Sequence, residues 1–196
     1  VSDWKTSSLR TWLNSDRETV AYTGTAPTYA NQPGYLIGLS ENEKRLIVPE
    51  EHKTLINNAL NPDGGSNTIG WNDRWPGVLD SAVGDLDINT AYYRLTSDYV
   101  FIPSLLDMRD YGILPRSGFN GYEKACMDVY GETVTGNGYG WIRDGSTKTA
   151  SRMWYANDSV SAAEVTQAMG IRPCMYIQPG AEVVGSGTES DPYRIA

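Results

Sequence analysis

The sequence predicts an α+β domain, on three observations. Apolar residues recur at helical spacing only in short stretches of the first part of the chain. β-branched and aromatic runs gather toward the end, and long Gly-, Asn- and Ser-rich segments without any period lie between. Strands do not alternate with helices as in βαβ units, and no internal repeat is evident. With 196 residues the chain has room for one domain with a core. We expect that domain over 1–184, followed by a linker or edge strand over 185–196.

The first element is a short helix over Ser7–Asn14, with a serine cap and with Leu9, Trp12 and Leu13 on one face. Residues 15–35 have no period and read as a long loop, a kind of segment that is often functional in compact domains. Ser40 and Glu43 form a capping box, and its helix ends before Pro49. Residues 61–75 form a second irregular loop. Tyr99–Pro103 reads as a buried strand, and Ser104 with Asp107 as the cap of the next helix. A helix over 122–130 ends at Gly131. Strands follow around Trp141 and Ile142, over Val160–Val165, and over Ile171–Ile177.

Composition excludes several function classes. The formal net charge is −8, and the 16 Lys and Arg are scattered singly, so nucleic acid and anionic membrane are not expected partners. Tyr (13) and Trp (6) far outnumber Phe (2), which suits either half-buried binding surfaces or a core built from amphipathic rings. Cys126 and Cys174 form no C-x-x-C pair; they are either one disulfide or two buried thiols. The chain starts at Val1, so we expect a processed product or a fragment.

Several segments carry a resemblance. Ser7–Asn14 is similar to S-x-L-R-x-W-L-N, and Leu39–Lys44 to L-S-x-x-E-K. Asp98–Ser104 is similar to D-x-V-F-L-x-S, Trp141-Ile142-Arg143 to W-x-R, and Gly170–Ile177 to G-V-R-P with an apolar strand. In this order the segments resemble a bacterial family, domain-of-unknown-function family 6273, over Ser7–Ile177. That family resembles the C-type-lectin-like fold, shared with formylglycine-generating enzymes and phage receptor-binding proteins. The resemblance implies short helices around a small, twisted, mostly antiparallel sheet with long irregular loops, a ligand surface within 144–158, and no known activity. Arg10, Trp12, Trp141, Arg143, Gly170, Arg172 and Pro173 are its motif residues here. Two departures stand out. The strands that usually precede the first motif are missing, so the sheet lacks a strand or a neighbouring chain supplies it. Asp144-Gly145 also stands where the family has Ser-Pro. The tail 185–195 resembles a junction of bacterial surface and phage-tail proteins, which implies an extracellular, cell-surface or virion location; a plain Gly/Ser linker reads the same way.

Candidate chemistry is sparse. His52 is the sole histidine, it follows Pro49-Glu50-Glu51, and we expect it on the surface with no catalytic role. Zinc lacks ligands. Asp85, Asp87 and Asn89 begin like a calcium loop without its later glycine and glutamate, so they are either a cation site or solvated turns; no cofactor is otherwise expected. Arg143 and Arg172 suit structural pairing better than ligand contact. In the late loop, Asp144, Arg152, Trp154, Tyr155, Asn157 and Asp158 combine rings with amides and carboxylates, which suits a sugar or a protein surface. The expectation is a non-catalytic module that binds a glycan or protein through this loop. The alternatives are a structural subunit completed by a neighbouring chain, and a thiol oxidase using Cys126 and Cys174.

Overall fold

The structure, a computed structural model, describes residues 3–57, 60, 93–110, 140–145, 150–156, 160–188, 190–191 and 194–195; for 108–110, 154–156, 160–162 and 195 it describes the backbone alone. The expected helix over 122–130, the loop over 61–75, Cys126, and the triplet Asp85, Asp87 and Asn89 lie outside the described residues.

Local capping sets the helices. Asp3 caps a 3-10 turn at Trp4–Thr6, with its carboxylate taking the Lys5 amide at 3.1 Å. Ser7 then caps α1 (Ser8–Leu13) by accepting the Arg10 amide at 3.1 Å. A second 3-10 turn covers Tyr35–Gly38, starting at the last residue of the expected loop. Helix α2 (Glu41–Leu46) opens with the complete Ser40/Glu43 box and passes into β1 (Ile47–Val48) before Pro49. Helix α3 (Leu105–Asp110) has the same device: Asp107 accepts the Ser104 amide at 2.8 Å while the Ser104 hydroxyl accepts the Asp107 amide at 3.1 Å. No helix among the described residues is long and apolar enough to cross a membrane.

The domain is a mixed α and β structure with a few short helices and small antiparallel sheets. Strand β2 (Glu50–Leu55) pairs with β3 (Tyr93–Asp98), with His52 opposite Thr96. A three-stranded sheet runs in the order β4 (Gly140–Gly145), β5 (Arg152–Ala156), β6 (Val160–Glu164). Strand β1 pairs with β7 (Tyr176–Ile177), and β8 (Val183–Val184) with β9 (Arg194–Ile195). The expected boundary after residue 184 falls inside this last ribbon, whose turns include left-handed Gly185 and Gly187.

Three expectations need correction. Strands do not wait for the end of the chain, because β2 already forms at Glu50. Its alternation is carried by His52 and Thr54, and that of β3 by Thr96 and Asp98, so the buried face of this ribbon is polar and shows no apolar period. Tyr99–Pro103 is buried around Val100 to Ile102 but is no strand: it bends at Tyr99 and Val100, and its ladder is a single bridge, Phe101 with Cys174, at 3.0 and 2.7 Å. Asn14 replaces the missing ladder. Its amide oxygen accepts from the Tyr99 and Val100 amides at 2.8 and 3.1 Å, and its nitrogen donates to the Val100 carbonyl at 2.8 Å. Within Ile171–Ile177, only Tyr176–Ile177 forms a strand beyond that bridge.

The core joins Trp4, Leu13, Val100, Phe101, Ile102, Trp141 and Ala163, with Trp12, Met153, Met169 and Ile171 packed against them. Strand β4 is buried along its whole length. Its free edge is satisfied by irregular backbone: Trp141 donates to the Gly170 carbonyl at 3.0 Å and Arg143 to that of Pro103 at 2.9 Å. The register shifts between Trp141 and Gly145, since these pair with Tyr155 and Met153. A bulge of this kind re-aims side chains, here Arg143 and Asp144.

Candidate binding groove

A buried ionic cluster holds this frame together, and an open groove lies beside it. The cluster comes from the bulge in β4. Arg143 is 1% exposed. It pairs with Asp107 at 2.5 Å, donates to the Ile102 carbonyl at 2.8 Å and to the Thr54 hydroxyl at 3.2 Å, and lies over the Phe101 ring at 5.3 Å. Asp144 is 3% exposed and accepts the Leu55 amide at 2.8 Å and the Leu105 amide at 2.7 Å, so it ties the end of β2 to the start of α3. Burial pushes the Asp144 carboxyl up to about 6, against the pull of Arg143 and of both amides.

His52 is 4% exposed, not on the surface as its charged neighbours suggested. The alternation of β2 turns Glu51 and Lys53 outward and His52 inward. Its ring packs on Phe101 at 4.0 Å and on Tyr176 at 5.9 Å. Burial, and then the adjacent Arg143, lower its pKa to about 4. The Arg143 guanidinium has only donors, so Nδ1, 3.4 Å away, accepts, and the ring proton sits on Nε2. That nitrogen is enclosed and has no hydrogen-bond partner among the described residues.

Four other motif residues, Arg10, Gly170, Arg172 and Pro173, also lie in the frame. Arg10 pairs with Asp98 at 2.5 Å, where Trp4 Nε1 and the Thr96 hydroxyl also donate, at 2.9 and 2.8 Å. Gly170 bridges to Gly140, and Arg172 and Pro173 lead, half-buried, into the Cys174 bridge. The Cys174 thiol lies 3.6 Å from the Arg172 carbonyl.

Most of the described residues of the expected late loop are strand. Asp144 is inside, with its oxygens bonded to backbone, and is not a ligand contact; the bulge that aims it inward was not readable from residue types. Arg152 starts β5 and pairs with Glu164 across the ladder at 2.8 Å. Trp154 and Tyr155 belong to β5, and Asn157 and Asp158 lie outside the described residues. Among the described residues, no group of three or more His, Cys, Asp or Glu is placed to hold a metal ion.

The open concavity lies elsewhere. A groove of about 980 Å³ runs between α1, the segment 22–29 and the turn 165–171, over Trp4, Trp141 and Met153. Helix α1 presents Ser8 and Trp12 to it. Trp12 donates to the Pro33 carbonyl at 2.8 Å and meets Tyr29 and Tyr35 edge-on at 5.9 and 5.5 Å, and Tyr29 lies within hydrogen-bond reach of Ser8. These contacts fold the segment 22–29 over the helix. Tyr22 also lines the groove; its hydroxyl is enclosed and has no partner among the described residues. Thr23, Thr25, Thr28, Thr166 and Gln167 form an exposed polar rim. Among the described residues the lining holds no Lys, Arg, His, Glu or Cys, and its carboxylate, Asp3, is occupied by Arg94 at 2.9 Å. Sequence reasoning marked 15–35 as a loop of interest but named none of these residues, because the groove forms only when 165–171 comes back to α1.

Fold and groove together define a small mixed α and β domain with a ring-lined concavity that, among the described residues, holds no cationic side chain. No protein-family model, curated protein or solved structure matches the chain.

Proposed function

We propose that the chain is a non-catalytic binding domain on a C-type-lectin-like scaffold, displayed on a cell or virion surface, which takes a glycan or protein ligand in the groove beside α1. The observation that carries this is the groove: it is large for a small-molecule site, at the upper end of the usual range of about 300–1,000 Å³, and lined by rings and hydroxyls. Such linings hold ligands by stacking and uncharged hydrogen bonds. Support for the absence of catalysis comes from the groups that could perform it. His52, Asp144 and Asp107 are engaged within the core, and the groove offers no acid–base pair among the described residues. The expected ligand face over 144–158 is carried forward only through β5, which supplies Met153 to the floor.

The test is a combined glycan and protein array probed with the chain and with Gly24→Trp. Gly24 lines the groove, and a Cβ there meets nothing within 4 Å, so this position admits a side chain and a large one is the bulk added to test the opening. We expect a ligand that the variant no longer retains. Equal retention by both, or turnover of a bound compound, removes the proposal. A second reading, a subunit of a surface assembly, draws on Val183 and Val184, half exposed on a ribbon of two strands. A single-chain mass in sedimentation removes that one.

A further inference from the structure

We propose that the ligand of the groove is an uncharged oligosaccharide, an inference that rests on the binding function above and narrows its ligand. Three observations carry it. The first is charge. The lining has no cationic side chain among the described residues, and both oxygens of Asp3 are taken, one by Arg94 at 2.9 Å and one by the Lys5 amide at 3.1 Å. A sialylated, sulfated or uronic sugar would leave water for a site with no counter-charge, on a chain whose formal charge is −8. A cationic ligand would find no available carboxylate among the described residues of the lining.

The second is the kind of hydrogen-bonding group. Thr25, Thr28, Tyr29 and Gln167 each both donate and accept, so they match sugar hydroxyls, which do the same. A peptide instead brings a backbone of one donor and one acceptor per residue and usually brings charge. The strand residues of the lining, Trp141 of β4 and Met153 of β5, have paired backbones, so among the described residues the lining offers no free sheet edge to extend such a backbone. The rings of Trp12 and Tyr29 stand among these hydroxyls, the pairing that suits a sugar's apolar C–H face with its polar rim.

The third is Tyr22. Its hydroxyl lies in the groove wall with no partner among the described residues, and burial raises its pKa, so it stays a neutral donor. The neighbouring residues 23–26 are exposed, and their displacement by an entering sugar hydroxyl completes the missing bond.

The experiment is an array of neutral oligosaccharides (glucosides, galactosides and mannosides) printed beside the same backbones carrying sialic acid, sulfate or uronate, and beside a protein array. It is probed with the full chain, Gly24→Trp and, in case that variant misfolds, Thr25→Arg. We expect neutral spots to bind and charged counterparts to bind at least tenfold less. Blocking variants should lose at least tenfold, and Tyr22→Phe about two- to tenfold at unchanged melting temperature, the range one uncharged hydrogen bond supplies. Retention confined to charged glycans, or to proteins, and lost in Gly24→Trp overturns the neutral-sugar inference while leaving the binding function standing. Neutral spots held equally by both blocking variants also overturn it, because the sugar then sits elsewhere. No retained spot on either array ends both.

Discussion

Asn14 shows how much one side chain holds. Its amide takes two backbone N–H groups of the 99–100 segment and returns a bond to the Val100 carbonyl and to that of Arg10. This is the bonding a neighbouring strand would otherwise supply to buried backbone. Asn14→Ala leaves those groups without partners, and we expect a loss of about 2 kcal/mol in urea unfolding. Arg143 has a comparable place at the other end of the segment, on the Ile102 carbonyl. The two lie in motifs far apart in sequence, and both grip the stretch of 99–103. Of the two, a structural pairing was foreshadowed for Arg143 alone. Which carbonyls and amides they meet was not, since the partners lie 86 and 41 positions away.

At the scale of elements, β2, β4 and α3 meet through two groups whose titrations oppose one another. Asp144 has its pKa raised from 3.8 to about 6, so its contribution is full below 3.8 and is lost as pH rises through about 6. His52 has its pKa lowered from 6.5 to about 4, so its contribution is full above 6.5 and is lost as pH falls through about 4. Each shift corresponds to about 3 kcal/mol. Between pH 4 and 6 the two slopes cancel in large part. Asp144→Asn should therefore gain stability relative to the parent chain as pH rises across this window, and His52→Gln should lose it, by about 3 kcal/mol in each case. Melting curves of the three proteins at pH 4, 5 and 6 check both signs, and parallel curves would show that the buried groups do not titrate there.

A second prediction at this scale concerns the return of the groove segment to α1. A Cβ at Gly34 would overlap the Ser15 carbonyl. Gly34 and Leu36 also bond back to Arg17 and Ser15, at 2.9 and 3.0 Å. Gly34→Ala must push these strands of chain apart, at a cost of about 1–3 kcal/mol, and should weaken ligand retention along with stability. Gly38→Ala is the matched control, because its Cβ meets nothing within 4 Å. Equal melting temperatures for the two variants would deny the close approach.

For the whole molecule, the binding function predicts a single-chain mass in sedimentation, and a melting temperature that rises with an array-selected ligand. At a ligand concentration of 100 times Kd the gain is about 3 kcal/mol. Absence of any shift at saturation would mean that the ligand does not prefer the folded state.

The sequence by itself determined the short-range structure. Ser7, the Ser40/Glu43 box and the Ser104/Asp107 box start three helices where expected, and Trp141-Ile142 lies in a strand, because caps and side-chain periods act between residues a few positions apart. It also determined the mixed class of the domain. Only the tertiary structure decided that His52 and Asp144 go inside, that β2 and β3 face the core with His, Thr and Asp, and that 22–29 and 165–171 enclose a groove. A polar residue is stable in the interior only where a partner from elsewhere in the chain meets it. Such partnerships leave no period in the sequence, and a concavity shared by segments more than a hundred residues apart exists only once the chain has closed on itself.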